Sequence, residues 1–102
     1  MAEHEQEMNR ADLNEVLFIQ YVSILTNAAM QQLGKIMNPV TGKMERNLEA
    51  ARATIDLLTM LKEKTQGNLN AREEKVIANG LANLQLNYAD EVNRLKQENQ
   101  SK

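Results

Sequence analysis

From Val16 to Met30 the chain is apolar at most positions, interrupted by Gln20, Ser23 and Asn27. Set on a helix at about 100° per residue, those three fall with Gln31 on one narrow polar stripe. Leu17, Phe18, Ile19, Tyr21, Val22, Ile24, Leu25, Ala28, Ala29 and Met30 cover most of the remaining surface. The apolar arc is roughly two-thirds of the circumference, against the ~100° stripe of an ordinary surface helix. A helix that apolar must be surrounded. It is nevertheless too short and too interrupted to span a membrane.

The periodic pattern around it predicts an all-α protein of three helices. The first covers about 12–33 and stops at Gly34, a residue suited to the left-handed position after a helix. The connection 34–46 carries Asn38-Pro39-Val40-Thr41-Gly42, with the only Pro in the chain. Asn before Pro disfavours helix and Gly permits a tight turn. An ordered loop and a short hairpin are both compatible with these residues.

A second helix is expected over about 47–65, capped by Asn47, with Glu49 favouring its first turn and Lys62 and Lys64 its last. Leu48, Ala51, Ile55, Leu58 and Leu61 form its apolar stripe. The third runs over about 71–98, opened by Asn70 and Glu73 in a capping-box arrangement. Its stripe is Ile77, Leu81, Leu84, Tyr88, Val92 and Leu95. At 1.5 Å per residue these helices measure roughly 28 and 42 Å, and their short connection makes them an antiparallel hairpin. The third therefore overhangs the second, and something else must cover that end. Gly80, inside it, costs about 1 kcal/mol relative to Ala; it reads as a tolerated surface glycine, with close helix approach as the alternative. The expected organisation is a disordered acidic tail over 1–10, a single helical domain over 11–98 and a frayed tail over 99–102.

Composition narrows the chemistry. Among 102 residues there is no Cys and one His, which removes disulfide scaffolds, thiol nucleophiles and Cys-based zinc sites. The net charge of −2 argues against a strongly basic duplex-DNA binder. The acidic opening residues lack the basic start of a secretory signal. A cytoplasmic setting is the expectation.

Glu3, His4, Glu5 and Glu7 could loosely hold a cation, but a solvated tail is the better account, so no metal is expected. Asp56 invites a catalytic reading. However, no second carboxylate stands three or four residues away and Arg52 does, which favours a helical ion pair. Gly34 to Gly42 lacks the Gly-Lys-Ser/Thr ending of a phosphate loop. No catalytic residue and no cofactor is assigned, and an enzyme is not expected.

Two features point to contacts. The Phe18, Ile19, Val22 and Met30 side of the first helix is expected to meet a second copy, in a homo-oligomer for which a two-fold dimer is favoured. Membrane-surface binding is disfavoured by the acidic and amide-rich surroundings. A runner-up surface gathers Lys35, Lys43 and Arg46 in the connection with Lys62, Lys64, Arg72 and Lys75 at the hairpin end. These could touch RNA phosphates or an acidic partner, although Glu63, Glu73 and Glu74 dilute the second group and stacking aromatics are missing.

The run from Phe18 to Glu74 also resembles a family of short bacterial proteins, a domain of unknown function. The residues that carry the resemblance are Phe18, Tyr21, Val22, Leu33-Gly34, Asn38-Pro39, Thr41-Gly42 and Leu48, then Ile55-Asp56-Leu57-Leu58, Lys64-Thr65 and Gly67-Asn68-Leu69. The family favours an Arg near the position held here by Gln85, so no role passes to that residue. The resemblance implies a bacterial, cytoplasmic, all-helical protein and no reaction. From the residues themselves, the expected function is a small non-catalytic protein–protein interaction or assembly module that self-associates, with an unidentified protein partner possible. The alternative is an RNA- or ribosome-associated factor.

Overall fold

The computed structural model describes residues 9–100. Three helices account for most of them: α1 (Arg10–Gln32), α2 (Leu48–Lys64) and α3 (Ala71–Gln100). Two isolated antiparallel bridges, Leu33 with Arg46 and Asn38 with Lys43, are the only β pairing among the described residues.

Each helix starts where a side chain replaces a missing backbone partner. Asn9 Oδ1 accepts from the Asp12 N–H at 2.9 Å, so α1 begins at Arg10, slightly before the expected start. Asn47 does the same for the Ala50 N–H at 3.0 Å. Asn70 and Glu73 close a reciprocal capping box: Asn70 N–H donates to Glu73 Oε1, and Glu73 N–H donates to Asn70 Oδ1, both at 2.8 Å. That box explains why Glu73 is buried. The C-terminal end of α1 is a Schellman motif. Lys35 N–H reaches Met30 O, Gly34 N–H reaches Gln31 O, and Gly34 takes φ +78°. At the other end of the chain, α3 continues to Gln100, into the segment expected to fray. Residues 1–8, with the expected acidic tail and His4, lie outside the described residues.

All three helices touch one another. Along α1 and α3 the contacts ascend together. Glu15 bonds Asn70 and Arg72, Thr26 lies against Gly80, and Lys35 meets Asp90 and Glu91. The two helices thus run in the same direction, and α2 returns between them. Its N-terminal end sits beside the end of α1, where Asn47 N–H donates to Gln32 O and Thr54 Oγ1 bonds Gln32 Oε1 at 2.7 Å. Farther along, Thr59, Lys62 and Glu63 border Ala78, Leu81, Ala82 and Gln85 of α3.

The core is small and evenly supplied. Val22, Ala29 and Leu33 come from α1 and its cap, Ala51, Ile55 and Leu58 from α2, and Ile77, Leu81 and Leu84 from α3. Phe18, Leu25, Met30, Leu48, Leu61, Leu69, Val76 and Tyr88 pack around them. Where α3 passes beyond this core, its apolar stripe gives way. Glu91 is buried there, whereas Leu95 is exposed.

Gly80 differs from its expected role as a surface residue. A Cβ at this position would stand 3.2 Å from Thr26 Oγ1, so the missing side chain is what lets α3 approach α1. Thr26 is held in place by its own bond to Val22 O at 2.8 Å.

Candidate functional site

The connection 34–46 folds as an ordered, closed loop. Asn38 N–H donates to Lys43 O and Gly42 N–H donates to Asn38 O, while Asn38 Oδ1 accepts from Val40 N–H around Pro39. The loop lies against the overhanging end of α3, and charge joins them. Lys35 Nζ is 2.8 Å from Asp90 Oδ2 and 2.7 Å from Glu91 Oε2. Arg46 bonds Glu91 Oε1 at 3.2 Å and Glu98 Oε1 at 2.8 Å. Arg94 reaches Asp90 at 3.4 Å and Glu91 at 3.6 Å. Glu91 is the hub: its side chain is only 6% exposed.

The hydrogen bond from Lys35 holds the Glu91 carboxyl below its ordinary value; burial opposes this, and Arg46 adds to the lowering. Lys35 likewise lowers Asp90, and Arg46 lowers Glu98. In return, hydrogen bonds to Asp90 and Glu91 raise Lys35, and those to Glu98 and Glu91 raise Arg46. Opposite charges at hydrogen-bond distance favour both charged forms.

This network divides the seven cations expected to share one basic surface. Lys35 and Arg46 are engaged with α3, and Arg72 is paired with Glu15 of α1 at 3.0 Å. Lys62, Lys64 and Lys75 are exposed and form no ion pair with any described residue, as is also true of Lys43 in the loop. The expected Arg52–Asp56 pair is not formed either. Both are exposed, where such a pair gains little over hydration. Among the described residues, no group of three or more His, Cys, Asp or Glu is placed to hold a metal ion.

The four residues expected at a self-association surface fall on the inner side of α1. Val22 is 1% exposed and belongs to the core, Phe18 and Met30 pack against it, and Ile19 is half-buried. The residues just before Phe18, Val22 and Leu25 face outward instead. Leu17, Tyr21 and Ile24 are 48%, 49% and 59% exposed. With the half-buried Ala28 they repeat at steps of four, three and four, the spacing of a coiled-coil seam.

Helix α1 thus carries two apolar seams, displaced by one residue. Phe18, Val22, Leu25 and Ala29 use the inner one, and Leu17, Tyr21, Ile24 and Ala28 form the outer one. The displacement was readable in the sequence, but which seam faced inward was not. Both are comparably apolar, and only the neighbouring helices decide.

The outer seam borders α2 at Ala28, which with Gln31 lines a cleft shared with Asn47 and Ala50, whereas Ile24 borders the groove shared with α3. On α2, Leu57 and Met60 are also exposed. From Val16 to Gln32, α1 bears no charged residue. On the opposite flank of α1, Gln20, Ser23 and Asn27 line an open groove of about 570 Å³ with Val76 and Gly80 of α3. Among the described residues, no helix is long and apolar enough to cross a membrane.

Comparison with curated proteins finds no match, and comparison with solved structures finds none either. A family model does match, over residues 15–90, which takes in α1 from Glu15, the loop, all of α2 and α3 as far as Asp90. The match covers both seams of α1 and the Lys35–Asp90 contact, and the chain belongs to that family, a domain of unknown function designated DUF1844.

Proposed function

We propose that this protein is a small non-catalytic interaction module of the cytoplasm, which self-associates and through that contact supports an assembly. The observation that carries the reading is the outer seam of α1. Leu17, Tyr21 and Ile24 stand about half exposed at coiled-coil spacing, on a helix with no charge to desolvate between Val16 and Gln32. Apolar surface of this kind gains free energy when removed from water, at roughly 25 cal/mol per Å². Asp56, the residue that invited a catalytic reading, is exposed and has no polar partner among the described residues. Light scattering across micromolar concentrations tests the proposal. Growth of mass above 11.6 kDa is expected, and an 11.6 kDa monomer that melts cooperatively at every concentration would overturn it.

One observation favours a second reading, an RNA-contacting factor. Lys62, Lys64 and Lys75 remain exposed near the connection between α2 and α3, with no ion pair among the described residues. The footprint is smaller than seven cations, because Lys35, Arg46 and Arg72 are engaged within the chain. Retention on RNA that falls steeply with salt would support this reading. Absence of retention at low salt removes it.

A further inference from the structure

Resting on the self-association reading, we infer which surface is used and in what orientation. A second copy of this chain packs antiparallel along the outer seam of α1, and Arg10 of each copy meets Glu45 of the other. The argument begins with the seam's ends. Between them, Leu17, Tyr21, Ile24 and Ala28 are uncharged. Arg10 lies one further heptad toward the N-terminus, on the same face as Leu17. It is exposed and has no polar partner among the described residues.

At the other end the loop brings in an acid. Glu45 lines the cleft that also contains Ala28, Gln31, Gln32 and Asn38, so it stands beside the C-terminal end of the seam. Among the described residues its one side-chain bond is a 3.3 Å contact from Asn38 Nδ2, and it is exposed and forms no ion pair with any of them. On this side of α1, Arg10 therefore stands at the N-terminal end of the seam and Glu45 at its C-terminal end, with no charged α1 residue from Val16 to Gln32 between them.

That polarity selects an orientation. A parallel pair would set Arg10 beside the partner's Arg10 and Glu45 beside the partner's Glu45, which is repulsive at both ends. An antiparallel two-fold pair sets each Arg10 at the end where the partner's Glu45 sits, and the attraction occurs twice. The same register packs well. With the axis between Tyr21 and Ile24, Leu17 lies opposite the partner's Ala28 and Tyr21 opposite the partner's Ile24, so a large residue meets a small one at each end. Leu17, Tyr21 and Ile24 are each about half exposed, which leaves apolar surface on every copy for the pair to remove from water.

The test is a charge exchange in the full chain, read by sedimentation equilibrium with thermal melts as a check on folding. Arg10→Glu and Glu45→Arg should each weaken association by about three- to thirty-fold, because two exposed pairs per dimer turn repulsive. The double variant should recover close to wild-type affinity. Ile24→Asp should abolish association while leaving a cooperative melt. A wild-type dimer indifferent to Ile24→Asp and to both charge reversals overturns this surface and leaves self-association standing on another face. Weakening by the single variants without recovery in the double overturns the antiparallel pairing. A wild-type chain that stays monomeric overturns this inference together with the reading on which it rests.

Discussion

The two seams of α1 are close to the same sequence read one residue apart, yet they do different work. The inner seam meets α2 and α3, and along it Val22, Ala29 and the cap residue Leu33 are fully enclosed. The outer one, through Leu17, Tyr21 and Ile24, meets solvent within a single chain. A step of one residue rotates a helix by about 100°, which is enough to move a stripe from the core to the surface. Hydrophobicity alone does not distinguish the two. What separates them is how many helices the chain itself can supply, and two neighbours cover one seam but not both.

Substitutions that treat the seams unequally break or sharpen this contrast. The largest effect is expected at Leu33, fully buried where α1 ends. Leu33→Ala should cost about 2–5 kcal/mol in denaturant unfolding, from lost transfer energy and the cavity left behind. Ile24→Ser, at a concentration where the chain is dissociated, should change stability by no more than about 0.5 kcal/mol. Equal losses at the two positions would erase the distinction between inner and outer seams.

A smaller effect is expected where the inner side of α1 meets the start of α3. Asn70 caps α3 and also donates to Glu15 Oε1 at 2.8 Å. Asn70→Ala should cost about 1 kcal/mol or somewhat more, since a cap and a bond between helices are lost together. Glu73→Gln, which can still bond the Asn70 N–H, should cost less.

Smaller again is the effect at Gly80. Replacing a helical Gly by Ala ordinarily gains up to about 1 kcal/mol. Here the new methyl would press on Thr26 Oγ1, 3.2 Å from the Cβ position. Gly80→Ala should therefore gain little or lose stability. The full gain should return in a Thr26→Ala background, as a double-mutant cycle would report. Additivity in that cycle would show that the two helices have room to spare.

The pH response concerns the loop rather than the seams. Asp90, Glu91 and Glu98 are lowered from ordinary values of 3.8, 4.5 and 4.5 by their cationic neighbours. A lowered carboxyl contributes stability that is present above its unfolded value and lost as pH falls through the folded one. Lys35, raised above 10.5, contributes stability present below that value and lost as pH rises past the folded one. Amide exchange in 34–46, corrected for its intrinsic pH dependence, should show constant protection from neutral to moderately alkaline pH. Protection should fall below about pH 4.5. Glu91→Gln should reduce it at neutral pH.

Much of the fold was legible because local signals agreed. Asn47, Asn70 with Glu73, and Gly34 mark helix ends through hydrogen bonds to the adjacent backbone, and each one forms. The stripe of α2 reached the core for the same reason, since its apolar spacing leaves one face to bury. The overhang of α3 was legible as a gap but not in how it is filled. Lys35 and Arg46 are more than forty residues from Glu91 in sequence, and a charge says nothing of its partner until the loop's path is known. At Gly80 the alternative of close helix approach was the one that formed, and its lack of a side chain matters only once Thr26 lies opposite. The candidate surface was legible as an excess of apolar residues on α1. Its orientation depended on where α2 and α3 came to rest.

The most direct test of the outer seam compares the wild-type chain with Ile24→Asp by sedimentation equilibrium at one micromolar-range concentration. The wild type should sediment at twice 11.6 kDa and the variant at 11.6 kDa with an unchanged cooperative melt. A variant that remains dimeric, or a wild type that is already monomeric, would contradict it.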